Sequence, residues 1–460
     1  MFKKTIVIVL LPLIVFTPCL LCAQNKLNEK KLLEYGWDKP SVSALKVNFI
    51  EREKTPFDGV FFSLDFDVYA AFDPTLFADS RFQYSDLQKI QWGKFTDNFL
   101  MVSGFGHSGA WWLDDAKWAN ISQNIKKVSK ALSISKAMGI GFDPEYYLKD
   151  TTLDPWKYRP SWYKNLSYQE VGKYVKKRGK QFIQALQTYK PDVKIFCVWL
   201  LGAVYSQRQN HPIEETGMAL YPFFVEGMLE GKNNSSEIID GNEAAYTYQN
   251  FVPFVKVGPA IRGMQSELIN KSLRSKFKNI SIAQPVYLDY LYAKWPKYEK
   301  GFNKQTKESW LKDNLYFAFK TTDKYVWFYD EKKINWWKNE VDSGLTEIIN
   351  GVRDKINSES QNNLSKVSGS SLALDFKNKE SNNYSGFSYT YQKNNNLLEI
   401  KLLKNDIKTL EVYKNSFLIF TVDNPAMNFI INLNKKYNRK GNLIIMAKDS
   451  KGVYSASFVN

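Results

Sequence analysis

The chain is poor in the residues that build metal centres and disulfide frameworks. Its 460 residues hold three cysteines and two histidines. Cys19 and Cys22 lie in or beside an N-terminal apolar run, so removal of that run leaves Cys197 alone and excludes a disulfide framework. Cys197 itself sits in the apolar stretch Ile195–Leu201 and reads as a small buried hydrophobe. Two histidines and one thiol give a zinc site too few of its usual ligands, so no metal and no cofactor is expected; only an all-oxygen calcium site stays open. No Gly-rich phosphate loop follows a strand-like run, which argues against a dinucleotide-binding fold. A G-x-S-x-G elbow and a Ser-His-Asp pattern are both missing. The net charge of +16 forms no basic stripe: residues 361–460 carry 14 basic against 7 acidic side chains, and the rest of the excess is spread along the chain. Nucleic acid is therefore not an expected partner.

After the first residues no segment is apolar enough to span a bilayer. The start itself reads as an export signal. Lys3 and Lys4 precede the apolar run Thr5–Leu21, and Ala23 offers a small residue for cleavage before Gln24. Residues 1–23 are expected to be removed, giving a periplasmic or secreted protein. An uncleaved anchor is the alternative, and Cys22 raises a lipoprotein reading, although Leu21 stands where a lipobox has a small residue.

What is present is a regular alternation. Seven strand-like runs occur: Phe57–Val68, Asn98–Phe105, Met138–Glu145, Lys194–Leu200, Glu237–Asp240, Ile280–Tyr287 and Tyr325–Tyr329. Between them lie helical candidates such as Ala116–Ser133, Ser167–Tyr189, Ile213–Glu230, Lys304–Phe319 and Asn339–Ile356. Strands alternating with helices predict a parallel sheet, and the span fits a (β/α)8 TIM-like barrel over residues 24–356, with one strand unaccounted for. A doubly wound open sheet is the alternative. Residues 24–45 read as a polar leader packed outside the barrel. The Ser- and Asn-rich stretch 357–371 reads as a linker, so the barrel should fold without the C-terminal region. Residues 372–460 carry short runs separated by Asn, Lys and Gly turns, the pattern of an all-β sandwich. All 13 tryptophans precede this last region, which favours a structural role for it over glycan binding.

The sharpest local feature is Met138-Gly-Ile-Gly-Phe-Asp-Pro-Glu-Tyr-Tyr147. Strand alternation puts Gly139, Gly141, Asp143 and Glu145 on one face, and Met138, Ile140 and Phe142 on the other. Pro144 cannot donate to a ladder and should end the strand. Two carboxylates then stand at the C-terminal mouth of a barrel strand, where barrel enzymes keep their active sites. Acids recur at other strand ends: Asp65 and Asp67, Asp240 and Glu243, Asp289, and Glu331. Which of Asp240 and Glu243 points inward is open, because Gly241 breaks the phase. Trp111, Trp112, Trp199, Trp327, Tyr146 and Tyr329 lie in or after the same strands and could stack on sugar rings, while His107 lies in the loop Gly104–Gly109 and could bind a hydroxyl. Each aromatic has core packing as its plainer alternative.

The runs Gly141–Tyr147, Ile239-Asp-Gly-Asn-Glu243 and Tyr325-Val-Trp-Phe-Tyr329, with Trp336-Trp337, resemble exported barrel proteins of the glycoside-hydrolase type from Gram-negative polysaccharide degraders. The Asp143-Pro-Glu145 ending is also similar to the end of the acidic strand motif of chitinase-like barrels, but Gly139 and Gly141 replace its upstream aspartates. The resemblance implies a carbohydrate substrate and paired-carboxylate catalysis. On this reading Glu145 is the general acid, Asp143 tunes it, and Glu243 is the second catalytic carboxylate. Asp65, Asp67, His107, Trp111, Trp112, Tyr146, Trp199, Asp240, Asp289, Trp327, Tyr329 and Glu331 would bind substrate. Two alternatives stay open here: a non-catalytic glycan-binding barrel, and a lyase acting on acidic polysaccharide.

Overall fold

The computed structural model describes residues 30–65, 72–104, 111–147, 150, 154–248, 250–289, 307–331, 336–337, 341, 343–360, 366–370, 372–373, 386–392, 395–414, 416–433 and 443–459. Its larger part is a parallel barrel. The strands are β1 (Lys31–Gly36), β2 (Gly59–Phe62), β3 (Phe99–Ser103), β4 (Gly139–Asp143), β5 (Lys194–Cys197), β6 (Glu237–Asp240), β7 (Ser281–Ile282), β8 (Gln284–Tyr287) and β9 (Tyr325–Asp330). The sheet order is β7-β6-β5-β4-β3-β2-β1-β9-β8. Only Ala283 separates β7 from β8, so the two ends of the sheet are one stretch of chain, and the sheet closes on itself as a (β/α)8 barrel.

The strand missing from the sequence reading is β1. Within the expected leader 24–45, Lys31–Gly36 is a barrel strand: it pairs with β2 on one side and with β9 over all six residues on the other. A charged residue disguised it. Glu34 is a core residue, 5% exposed, and takes the Trp337 indole N–H at 3.0 Å. Burial, with Asp38 nearby, pushes its carboxyl well above the ordinary range, so it packs as a neutral acid.

Aromatic side chains fill the barrel. Phe61 stacks on Phe99 at 5.3 Å, Phe196 meets Phe99 at 5.5 Å, and Trp327 meets Phe196 at 5.9 Å. Gly141 is small because this filling leaves no room: a Cβ there would lie 2.6 Å from the Phe61 ring and run into the Met101 sulfur. Phe142 points the other way, onto Phe182 and Phe224 of the surrounding helices. The predicted alternation of this strand is therefore observed. The N-terminal end of the barrel is closed by the ion pairs Lys194–Glu237 at 2.6 Å and Lys324–Asp97 at 2.8 Å. The helix Asp115–Ser135 is N-capped by Asp114, and Tyr168–Leu186 opens with a Ser167/Glu170 capping box.

The C-terminal part consists of a four-stranded and a five-stranded antiparallel sheet around their own apolar core. The connection is shorter than 357–371, because a helix runs to Ser360 and Lys366–Ser370 is already a strand. Nor is the sandwich independent of the barrel. Tyr413, Ile444, Met446 and Ala456 belong to the barrel's core cluster, and Phe458 packs on Phe251 at 5.0 Å and Tyr316 at 5.4 Å. Arg262 donates to the Ser416 carbonyl at 2.9 Å and lies 3.6 Å over the Phe417 ring. At Gly258 a Cβ would collide with the Ser416 backbone. The barrel and the sandwich thus share an apolar face.

Candidate active site

The C-terminal mouth of the barrel gathers carboxylates from three strand ends. Asp143 closes β4 and is 7% exposed. Its Oδ1 accepts the Glu145 N–H at 2.9 Å and its Oδ2 accepts the Tyr147 hydroxyl at 2.8 Å. Burial, with the Glu145 charge adding to it, lifts the Asp143 carboxyl to about 6, against the pull of these donors and of Lys39. The strand stops at Asp143, as Pro144 requires, and the Pro144 carbonyl takes the Trp156 indole N–H at 2.6 Å.

Beyond β6 a tight turn decides between two acids. Asp240 is 2% exposed, and its Oδ1 accepts the Asn242 N–H at 2.8 Å. Asn242 adopts a left-handed conformation, φ 54°, and its amide donates to Gln284 at 2.8 Å. Asp240 lies with Cys197 and Tyr221 between strand and helices, and burial raises it to about 7. Glu243, one turn on, is the residue that enters the mouth. Burial first, then the charges of Glu145, Asp143 and Glu331, raise its carboxyl to about 8. Glu331 follows β9 and its N–H donates to Asp289 at 2.9 Å.

Tyrosines line the same space. The Tyr246 ring is parallel to Tyr329 at 5.1 Å and stacks on Tyr287 at 4.8 Å. Tyr35 lies 5.3 Å from Tyr329. A pocket beside Asp143 is lined by Tyr35, Trp37, Lys39, Ser103, Tyr147 and Tyr329, among others. Tyr35, Trp37 and Lys39 come from or follow the unrecognised β1, and Tyr147 and Tyr246 had the strand-end position as their signal.

Of the residues expected at the site, Asp143, Glu145, Glu243, Tyr329 and Glu331 come together at the mouth. Others are placed elsewhere. Asp65 is exposed beyond the end of β2. Partial burial opposes its charge, but hydrogen bonds from Ser43, Ser41 and Gln83 bring it down to about 2, so it staples a loop. Asp240 faces the helices, and Asp289 is 1% exposed, holding the Glu331 backbone. Trp112 is 1% exposed in an aromatic layer with Trp118, Trp156 and Phe224, and gives its N–H to the Pro155 carbonyl at 2.8 Å. Trp111 is buried against it; its N–H has no hydrogen-bond partner among the described residues. Trp199 packs edge-on against Tyr221, and Trp327 fills the barrel with its N–H on the Gly241 carbonyl. Tyr146 braces its loop through the Asp150 carbonyl. Apolar packing claims large rings near a mouth as readily as sugar does, which is why alternation did not separate them. Asp67 and His107 lie outside the described residues. Cys197 is fully buried and burial pushes its thiol up, as a core residue requires. Among the described residues no group of three or more His, Cys, Asp and Glu side chains is placed to hold a metal ion, and no helix is long and apolar enough to cross a membrane.

No family model matches this chain, and no curated protein matches it. Solved structures overlap it loosely. A GH5-4 broad specificity endoglucanase from an uncultured bacterium is 11% identical, with a TM-score of 0.38 over 69% of this chain and 86% of that one. A family 5 xyloglucanase from Paenibacillus pabuli is 8% identical, with a TM-score of 0.38 over 71% and 98%. A GH5_18 protein from Streptomyces cattleya is 10% identical, with a TM-score of 0.35 over 72% and 80%. Overlaps this loose add nothing to the barrel topology.

Proposed function

We propose that the protein is a glycoside hydrolase acting on a poly- or oligosaccharide outside the cytoplasm. The observation that carries this reading is the placement of Glu243 at the barrel mouth within reach of the Glu145 and Asp143 charges, half-buried and one strand removed from them. Hydrolysis of a glycoside needs one carboxyl that still holds its proton near neutral pH and a second that supplies negative charge at the anomeric carbon. Burial and its neighbours suit Glu243 to the first role. It donates its proton to the departing oxygen as the C1–O bond breaks. Glu145 supplies the second carboxyl, and water forms the new bond at C1 and gives up a proton to a carboxylate of the pair. The two roles are thus exchanged relative to the sequence expectation, because burial and like charge raise the Glu243 carboxyl. Asp143, tied to Tyr147 and to the Glu145 backbone, holds Glu145 in position.

The Tyr147 ring is half-exposed, but burial of its hydroxyl end against Asp143, with the Asp143 and Glu145 charges, pushes the phenol far above its ordinary range, which makes it a poor base for a lyase. The test is incubation of the mature protein with a polysaccharide panel, reading both reducing ends and ultraviolet absorbance. New reducing ends without absorbance are expected. An unsaturated, absorbing product would replace this reading with a lyase; binding without any cleavage would replace it with a glycan-binding barrel. The export reading rests on residues 1–23 and is checked by intact mass: a start at Gln24 is expected, and acyl groups on Cys22 would make the protein a lipoprotein.

A further inference from the structure

We propose that Trp37 and Tyr147 form a sugar-binding corner at the rim of this mouth that accepts an uncharged pyranose ring and rejects a uronate. The inference rests on the reading of the mouth as a glycan-cleaving site.

Trp37 is 47% exposed, whereas the other described tryptophans are buried or half-buried. Tyr147, 48% exposed, meets it edge to face at 6.2 Å and 69°. Both line the pocket over Asp143 and Ser103. An exposed indole in a folded protein loses the free energy that burial would give it, so an exposed pair over a polar floor marks a place where a ligand supplies the covering surface.

Both rings are held before any ligand arrives. The Trp37 backbone N–H donates to the Asp330 carbonyl at 3.1 Å, directly after six paired residues of β1 and β9. Tyr147 is tethered by its hydroxyl to Asp143 at 2.8 Å. Lys39 lies 5.7 Å from the Trp37 ring centre and steadies it further. Pinned rings lose little freedom when a sugar stacks on them, which is the condition for useful affinity. Ser103 and the Asp143–Tyr147 pair offer hydroxyl-sized hydrogen-bonding groups below the rings.

Charge decides the class of sugar. Asp143 lines this space, Glu145 acts on Asp143 and Tyr147, and Glu331 acts on Tyr329, against Lys39. The field at the corner is therefore negative, although the whole chain carries +16. A uronate carboxylate would enter it against like charge, and an uncharged ring would not.

The test uses the mature Glu243→Gln protein, so that bound glycan is not cleaved, and calorimetric titration. The probes are neutral gluco-, galacto-, manno- and xylo-configured oligosaccharides and an oligogalacturonate of equal length. At least one neutral probe should bind, with the oligogalacturonate at least about tenfold weaker. Adding Trp37→Ala should weaken neutral binding by about tenfold or more with the melting temperature unchanged. Tyr147→Phe keeps the ring but cuts its tether to Asp143, and should weaken neutral binding less than Trp37→Ala does. Failure of every neutral probe to bind, equal binding of the oligogalacturonate, or indifference to Trp37→Ala overturns the proposal. The two readings fail separately. Cleavage of a glycan whose binding ignores Trp37→Ala removes the corner and leaves the hydrolase; Trp37-dependent binding with no cleavage by the unsubstituted protein does the reverse.

Discussion

Replacing Glu243 by Gln tests the assignment of the acid most directly, because it keeps size and removes the proton. The ordinary carboxyl value for this residue is 4.5, and burial with three like-charged neighbours raises it to about 8. At about 1.36 kcal/mol per pH unit, that is a preference of about 5 kcal/mol for the neutral form. At pH 7 about nine molecules in ten then carry the proton, against about three in a thousand for an unperturbed glutamate. The pH profile of kcat/KM, which reports the free enzyme, should fall on its basic side through about 8 as Glu243 ionises. Glu243→Gln should remove that basic limb and lower turnover on unactivated glycans by about 10²–10⁴. The loss should depend on the leaving group. An aryl glycoside whose phenol departs as a stable anion needs no proton, so its turnover should fall far less than that of a natural oligosaccharide. The assay is a series of aryl glycosides of graded phenol acidity, run beside reducing-end release from the natural glycan. An equal loss across the series would show that Glu243 does something other than donate a proton, and near-normal turnover of the natural glycan would refute its assignment outright.

Other perturbations draw on the same geometry. Asp143→Asn removes one of the charges that raise Glu243, so the basic limb should move to lower pH, read from the kcat/KM profile. Asp240→Asn should flatten the pH dependence of stability. Burial raises Asp240 to about 7 in the fold, so its contribution is fully present below the unfolded carboxylate value of about 3.9 and is lost as pH rises through about 7. Thermal melts at pH 5 and 8 should therefore differ less in the variant than in the parent. Ending the chain after Ser360 should give insoluble protein, because Phe251 and Tyr316 lose their cover from Phe458. Phe458→Ala in the full chain should cost about 2 kcal/mol in denaturant unfolding, below the loss for a fully buried phenylalanine.

The parts of this fold that were legible in the sequence are those governed by local chemistry. The two faces of the Gly139–Asp143 strand and its stop before Pro144 could be read within the longer run Met138–Glu145, since small inward residues, apolar outward ones and a terminating proline leave one arrangement. Plain alternation likewise puts Tyr325, Trp327 and Tyr329 of β9 on the inner face. What could not be read depends on contacts far along the chain. Asp240 and Glu243 are three residues apart, and only the left-handed turn at Asn242, held by Gln284, sends one to the helices and the other to the mouth. The tryptophans failed for a different reason. An indole near a strand end satisfies a helix-facing layer and a sugar-facing wall equally well in sequence, and Trp112 is in the layer because Phe224 and Trp156 reach it from distant segments.

The missed strand links these points to function. Lys31–Gly36 was hidden by Glu34, a charged letter in a buried position, and that residue can be there because Trp337 donates to it and burial keeps it neutral. Once β1 is in the barrel, the chain leaving it must cross the mouth between β2 and β9. That path carries Tyr35 into the tyrosine stack and puts Trp37 on the rim beside Tyr147. The residues that shape the proposed sugar pocket and the residue that concealed their strand are therefore neighbours for one reason. A strand buried on both faces can place a functional ring at its end only if every side chain along it, including an acid, is reconciled with the core.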